Sequence, residues 1–136
     1  MTVYVFDSSA LIRYIDDEAG ADQVETILMA CAASQVGAIV SAIQWGEVAG
    51  NVRKRFGGTE ERRVLSSLLP SEAEIVPASG DRAVRASELK VDRKIAYADA
   101  FALDLAMESK DHVLVTADYG FKDVDDLVHI EFLPQK

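Results

Sequence analysis

Apolar and polar positions along the chain follow two alternating periods. Short runs at 3–6, 38–41, 74–76, 112–115 and 128–132 have the length and β-branched content of strands, and VYVF and HVLV are apolar enough to be buried on both faces. Between them the apolar residues recur every three or four positions, which predicts helices over 10–17, 22–33, 59–69, 81–89 and 98–107. A further helix carries Trp45, Val48, Ala49, Val52 and Phe56 on one stripe and is closed by Gly57 and Gly58. Thr59 is placed to cap the next helix, with Glu60 and Glu61 in its first turn and Pro70 as its stop. Strands separated by helices predict an α/β fold, a mostly parallel central sheet covered by helices.

Composition narrows this to one domain over 1–136, since 136 residues at 49% hydrophobic content suffice for a single core. No apolar stretch approaches the roughly 20 residues of a spanning helix, and no basic segment followed by an apolar run opens the chain. The expectation is a soluble, cytoplasmic protein without a membrane partner. The lone cysteine, Cys31, lies on the stripe Val24, Ile27, Leu28, Cys31 and reads as a core thiol. Two histidines, His112 and His129, without a Cys/His cluster argue against a zinc site.

A net charge of −9 is unfavourable for general binding to nucleic acid. The distribution changes that picture. Residues 53–94 hold ten basic side chains against seven acidic ones, so a cationic face on an acidic protein is open to the chain, as are ordinary solvated helix faces.

The acidic residues sort by position. Asp7 ends the first strand and precedes a helix, where it reads either as a cap or as a site carboxylate; taken alone, the cap is the simpler reading. Glu47 sits early on its helix, about 100° from the Trp45 and Val48 side, on a face with Ile43, Gly50 and Asn51. Asp99 opens the 98–107 helix, where backbone N–H groups favour an anion. Asp104 is rotated about 140° from Asp99, aligned with Ala100 and Glu108, and is assigned to solvent. Asp118 follows HVLVT and repeats the situation of Asp7, with a turn-former as its plainer role. Were the sheet to gather Asp7, Glu47, Asp99 and Asp118 within about 4 Å, each pair would repel by roughly 4 kcal/mol at an effective dielectric near 20, which cations or protons relieve. Without a zinc-type donor set, the ions such a cluster suits are Mg²⁺ or Mn²⁺.

FDSSALI, SAIQWGEVAG, YADAFALDLA and LVTADYGF, in that order, resemble the four acidic motifs of the PIN domain family, and size and spacing resemble its VapC toxins. The resemblance spans essentially the whole chain, and its specificity lies in the ordered set. It implies a single PIN-like domain acting as a Mg²⁺- or Mn²⁺-dependent endoribonuclease, the toxin of a type II toxin–antitoxin pair. Asp7, Glu47, Asp99 and Asp118 would be the catalytic and metal-holding acids, and Ser8 and Thr116 hydroxyl neighbours of the metal. The implied chemistry is hydrolysis by metal-activated water, leaving a 5′ phosphate and a 3′ hydroxyl. The implied partners are an RNA substrate, a cognate VapB-like antitoxin and a second copy in a homodimer. Asp123 and Asp125 compete with Asp118 for the fourth position, although TADYGF fits the motif best.

Two other readings stand beside this one. A receiver-like Mg²⁺-binding regulatory module would need adjacent acids after the first strand, where this chain has Asp7 followed by serines. A PIN-like binding domain without catalysis is disfavoured by the presence of all four acids. For RNA, Lys54 lies on the Glu47 face one turn beyond Asn51 and is the expected phosphate contact, with Arg82, Arg85, Arg93 and Lys94 next.

Overall fold

The computed structural model describes residues 1–136. Its elements run β1 (Val3–Phe6), α1 (Ser8–Ile15), α2 (Ala21–Ala32), β2 (Gly37–Ser41), α3 (Ala42–Phe56), α4 (Gly58–Leu68), β3 (Glu74–Val76), α5 (Gly80–Arg93), α6 (Tyr97–Ala106) and β4 (His112–Thr116), then a 3₁₀ helix (Tyr119–Val124) and β5 (His129–Phe132). The five strands form one sheet in the order β3-β2-β1-β4-β5, and every pairing is parallel. All strands therefore end on the same edge, and the loops that leave β1, β2 and β4 share one rim of the molecule.

Side chains alternate across the sheet. Phe6, Ala38, Val40 and Val115 face one layer, where they meet Leu11 of α1, Val24 and Leu28 of α2, Val48 of α3 and Leu68 of α4. Val5 and Leu114 face the other, against Ala102, Leu103, Leu105 and Ala106 of α6 and against Phe121 and Val124 of the 3₁₀ helix. Cys31 is buried in the first layer, as its stripe predicts. No helix is long and apolar enough to cross a membrane.

Three local expectations are corrected. Thr59 lies inside α4, and Gly57, at φ +90°, both ends α3 and starts α4, a backbone state open to glycine. The helix predicted to end at 89 continues to Arg93 through the exposed Val91, because Lys94 takes a left-handed conformation and closes it with an N–H bond to the Lys90 carbonyl. Asp104 is buried, not solvated: α6 lies between the sheet and α5, all of Ala100 to Ala106 is buried, and no face is left for water. Its carboxylate accepts from Arg85 Nε at 2.7 Å and from Arg82 Nη1 at 3.1 Å. Phe56, last on the α3 stripe, is 55% exposed.

Candidate functional site

Register explains how the first and last acidic motifs meet. Phe6 pairs with Val115 across β1 and β4, and the Asp7 N–H continues the ladder to the Val115 carbonyl at 3.0 Å. The next residues, Asp7 and Thr116, therefore lie side by side where both strands end. Thr116 Oγ1 donates to Asp7 Oδ2 at 2.9 Å, and Ser9 Oγ donates to the same oxygen at 2.6 Å. Backbone N–H groups set the direction of both bonds: Ala117 N donates to Ser9 Oγ at 2.9 Å, and Asp118 N to Thr116 Oγ1 at 3.0 Å. With those oxygens accepting from the backbone, both hydroxyl protons are free to point at Asp7.

Asp7 occupies the N-cap position of α1 but makes no capping bond. It is buried, and its second oxygen, Oδ1, has no hydrogen-bond partner. An unpaired buried carboxylate oxygen is costly unless something cationic or protic meets it. Burial pushes the Asp7 pKa up, the Ser9 and Thr116 hydroxyls draw it part of the way back, and the charge of Asp118 raises it again.

The other acids approach from separate elements. Glu47 leaves the exposed side of α3, where Oε1 accepts from Ser8 Oγ at 3.0 Å; partial desolvation and the charge of Asp7 raise its pKa, against the Ser8 bond. Asp99, half-buried in the first turn of α6, is pushed up to about 6, first by burial and then by the charges of Asp7, Asp118 and Glu47. Asp118 is exposed and caps the 3₁₀ helix, accepting from Gly120 N at 2.8 Å, so the turn-forming role read from the sequence is present as well. The structure thus gathers Asp7, Glu47, Asp99 and Asp118 into one electrostatic neighbourhood. Asp123 and Asp125 are not among the charges acting on Asp99, Asp125 ends the 3₁₀ helix, and Asp126 pairs with Arg93 at 2.7 Å.

No three His, Cys, Asp or Glu side chains are already drawn in tightly enough to hold an ion. The cavity of about 370 Å³ between Tyr14, Phe56, Arg63 and Leu68 lies away from the acids, at the far ends of α1 and α3. Mutual repulsion gives a physical reason for carboxylates to stand apart until a cation joins them.

Ser8 and Thr116 both lie at the cluster, Ser8 against Glu47 and Thr116 against Asp7. Ser9 and Gln44 were not singled out from the sequence. Ser9 is the second hydroxyl on Asp7, which lies two residues before it, and its contacts with Thr116 and Ala117 follow from the pairing of β1 and β4. Gln44 is a fully buried amide on α3, one turn before Glu47. Among the basic residues, Arg53 pairs with Glu61, Arg55 with Asp16, Arg82 with Asp104 and Glu108, Arg85 with Asp104, and Arg93 with Asp126. Arg82, Arg85 and Arg93 are thereby engaged in ion pairs within the chain and are not free phosphate contacts, whereas Lys54 is exposed and makes no ion pair.

A parallel α/β domain that collects carboxylates where its strands end is the class that this fold and site define. The chain belongs to the PIN domain family, whose profile matches residues 4–127. Its fold is shared with a chain of the VapBC2 complex of Rickettsia felis bound to a promoter DNA fragment, at 20% identity and a TM-score of 0.77, over 98% of this chain and 100% of that one. A chain of a toxin–antitoxin complex from Klebsiella pneumoniae superposes with a TM-score of 0.70 at 22% identity, over 98% of this chain and 99% of that one. Mycobacterium tuberculosis VapC20, a toxin that cleaves the sarcin-ricin loop, gives 0.71 at 18% identity, over 98% of this chain and 100% of that one. No curated protein matches the chain in sequence.

Proposed function

We propose that this protein is a Mg²⁺- or Mn²⁺-dependent endoribonuclease and the toxin of a VapBC-type pair. The observation that carries the reading is Asp7: a buried carboxylate with one oxygen held by two hydroxyls, the other without a partner, and Glu47, Asp99 and Asp118 in its field. This donor set is all oxygen and anionic, which fits a hard divalent cation and not zinc. Asp7 and Asp99 would hold the ion directly, Glu47 would reach it from the exposed side, and Asp118 would complete the charge. When bound, the ion supplies Lewis-acid stabilisation of a phosphodiester and lowers the pKa of a water.

The chain's own residues do the rest. Ser9 and Thr116 turn the Asp7 carboxylate so that Oδ1 is the free oxygen. Asp99, with a pKa near 6, is largely ionised at neutral pH and accepts a proton on mild acidification. Lys54, on the Glu47 helix, offers a positive charge to the RNA backbone without reading bases. The family and the VapBC neighbours support a VapB-like antitoxin partner. In this proposal that partner carries a basic or aromatic segment toward the acidic site, and the toxin is a homodimer. Family membership leaves no place for the receiver-like alternative. The test is cleavage of RNA by the purified chain: activity that appears with Mg²⁺ or Mn²⁺ and vanishes with EDTA supports the proposal, and activity that persists in EDTA rejects it.

A further inference from the structure

We infer that Gln44 is a positioning residue that sets the spacing between Glu47 and Asp99, an inference that rests on the metal-site reading above. Gln44 lies on α3 one turn before Glu47 and is fully buried. Its Nε2 donates to the carbonyl of Ala98 at 2.6 Å, and Ala98 immediately precedes Asp99 in the first turn of α6. This is the one hydrogen bond that joins α3 to α6. The rest of that contact is apolar, with Ile43 packed on the cluster of Ala86, Ala100 and Phe101.

Apolar packing holds two helices together without fixing their axial register as tightly as a directional bond does. Glu47 and Asp99 repel each other, and Asp7 repels both, so the two helices carry a force that separates the acids. The Gln44 amide opposes it at the backbone of the residue next to Asp99.

Stability alone does not account for this amide. Its Oε1 is buried with no partner, a cost that an apolar side chain of similar shape avoids. Ala98 O stands where the α6 ladder supplies a helical donor in any case. An amide left half-satisfied in the core and tied one residue from Asp99 is explained by the geometry it imposes.

The experiment compares the wild-type chain with Gln44→Met and Gln44→Leu, measuring Mn²⁺ affinity by electron paramagnetic resonance and thermal stability without metal; Asp7→Asn is the control for the site. The expected result is a melting temperature unchanged or raised in both Gln44 variants, together with Mn²⁺ affinity about tenfold weaker, the size of effect known for residues that orient metal ligands. Wild-type affinity in both variants would overturn the inference. So would a fall in stability in both that accompanies the loss of affinity, because the amide would then be a fold element only. A wild-type chain that binds no Mn²⁺, or binds it no better than Asp7→Asn, fails the metal-site reading itself, and that outcome is visible before any Gln44 variant is measured.

Discussion

Three neighbouring residues after β1 have separate tasks. Asp7 faces the sheet end, Ser8 reaches out to Glu47, and Ser9 turns inward to Asp7, Thr116 and Ala117. Ser9→Ala should therefore cost about 1–3 kcal/mol, because it removes a donor from a buried carboxylate and leaves the Ala117 N–H unpaired. Ser8→Ala, at a partly exposed contact, should stay within about 0.5 kcal/mol of wild type. Equal losses in the two variants, measured by denaturant unfolding, would contradict this division.

The same residues set the pH dependence. Asp7, Glu47 and Asp99 have folded pKa values above their ordinary ones, so the folded chain binds these protons more tightly than the unfolded chain does. Their contribution to stability is then fully present below the unfolded values and is lost as pH rises through the folded ones, about 6 for Asp99. Asp126 and Glu60, held low by Arg93 and Arg63, act in the opposite sense, but only on acidification below the ordinary carboxylate range. In EDTA the melting temperature should thus rise as the pH falls from about 7 to about 5, and Mn²⁺ should stabilise most at the upper end. A melting temperature that falls over that interval would contradict the raised carboxyl pKa values, whose first cause is burial and whose second is the charge of the neighbouring acids.

At the scale of elements, helix existence was legible from apolar period and boundaries were less so. α2 and α6 begin and end within one residue of the expected positions, because their stripes are long and continuous. α5 outran its apolar stripe, since Val91 is exposed and the stop is a left-handed Lys94, which no residue type announces. Asp104 misled for a related reason: an angular argument assumes that a helix has a wet side, and α6 has none. Removing the carboxylate tests its structural role. Asp104→Ala should cost of order 2–3 kcal/mol, at or below the usual cost of breaking a buried ion pair because Arg85 is half-exposed. Mn²⁺ affinity should not change. A loss of affinity equal to that of Asp7→Asn would make Asp104 part of the site.

For the whole molecule, the four acids were legible as an ordered set at strand ends and helix starts, yet their meeting depends on strand order, which the sequence does not display. Once β1 lies between β2 and β4, the strand ends that lead to Asp7, to the helix of Glu47 and to Asp118 share one rim. Gln44 and the contact of Ser9 with Thr116 do not show in the sequence because the partners are 54 and 107 residues away. Charge left a cationic face and ordinary solvated helix faces both open, and most arginines of the basic middle neutralise acids of the same chain, so the cationic surface is smaller than the count of basic residues implies. Lys54→Ala should accordingly weaken RNA binding uniformly across sequences and lower the salt slope by about one, with metal binding unchanged; an unchanged slope would place the RNA elsewhere.

The assignment of metal-dependent hydrolysis to the Asp7 cluster is tested most directly by the ends of the cleaved RNA. Purified protein incubated with RNA and Mn²⁺ should leave 5′ phosphates and 3′ hydroxyls, and Asp7→Asn, still folded, should leave the RNA intact. Products ending in 2′,3′ cyclic phosphates, or cleavage by Asp7→Asn at the wild-type rate, would contradict it.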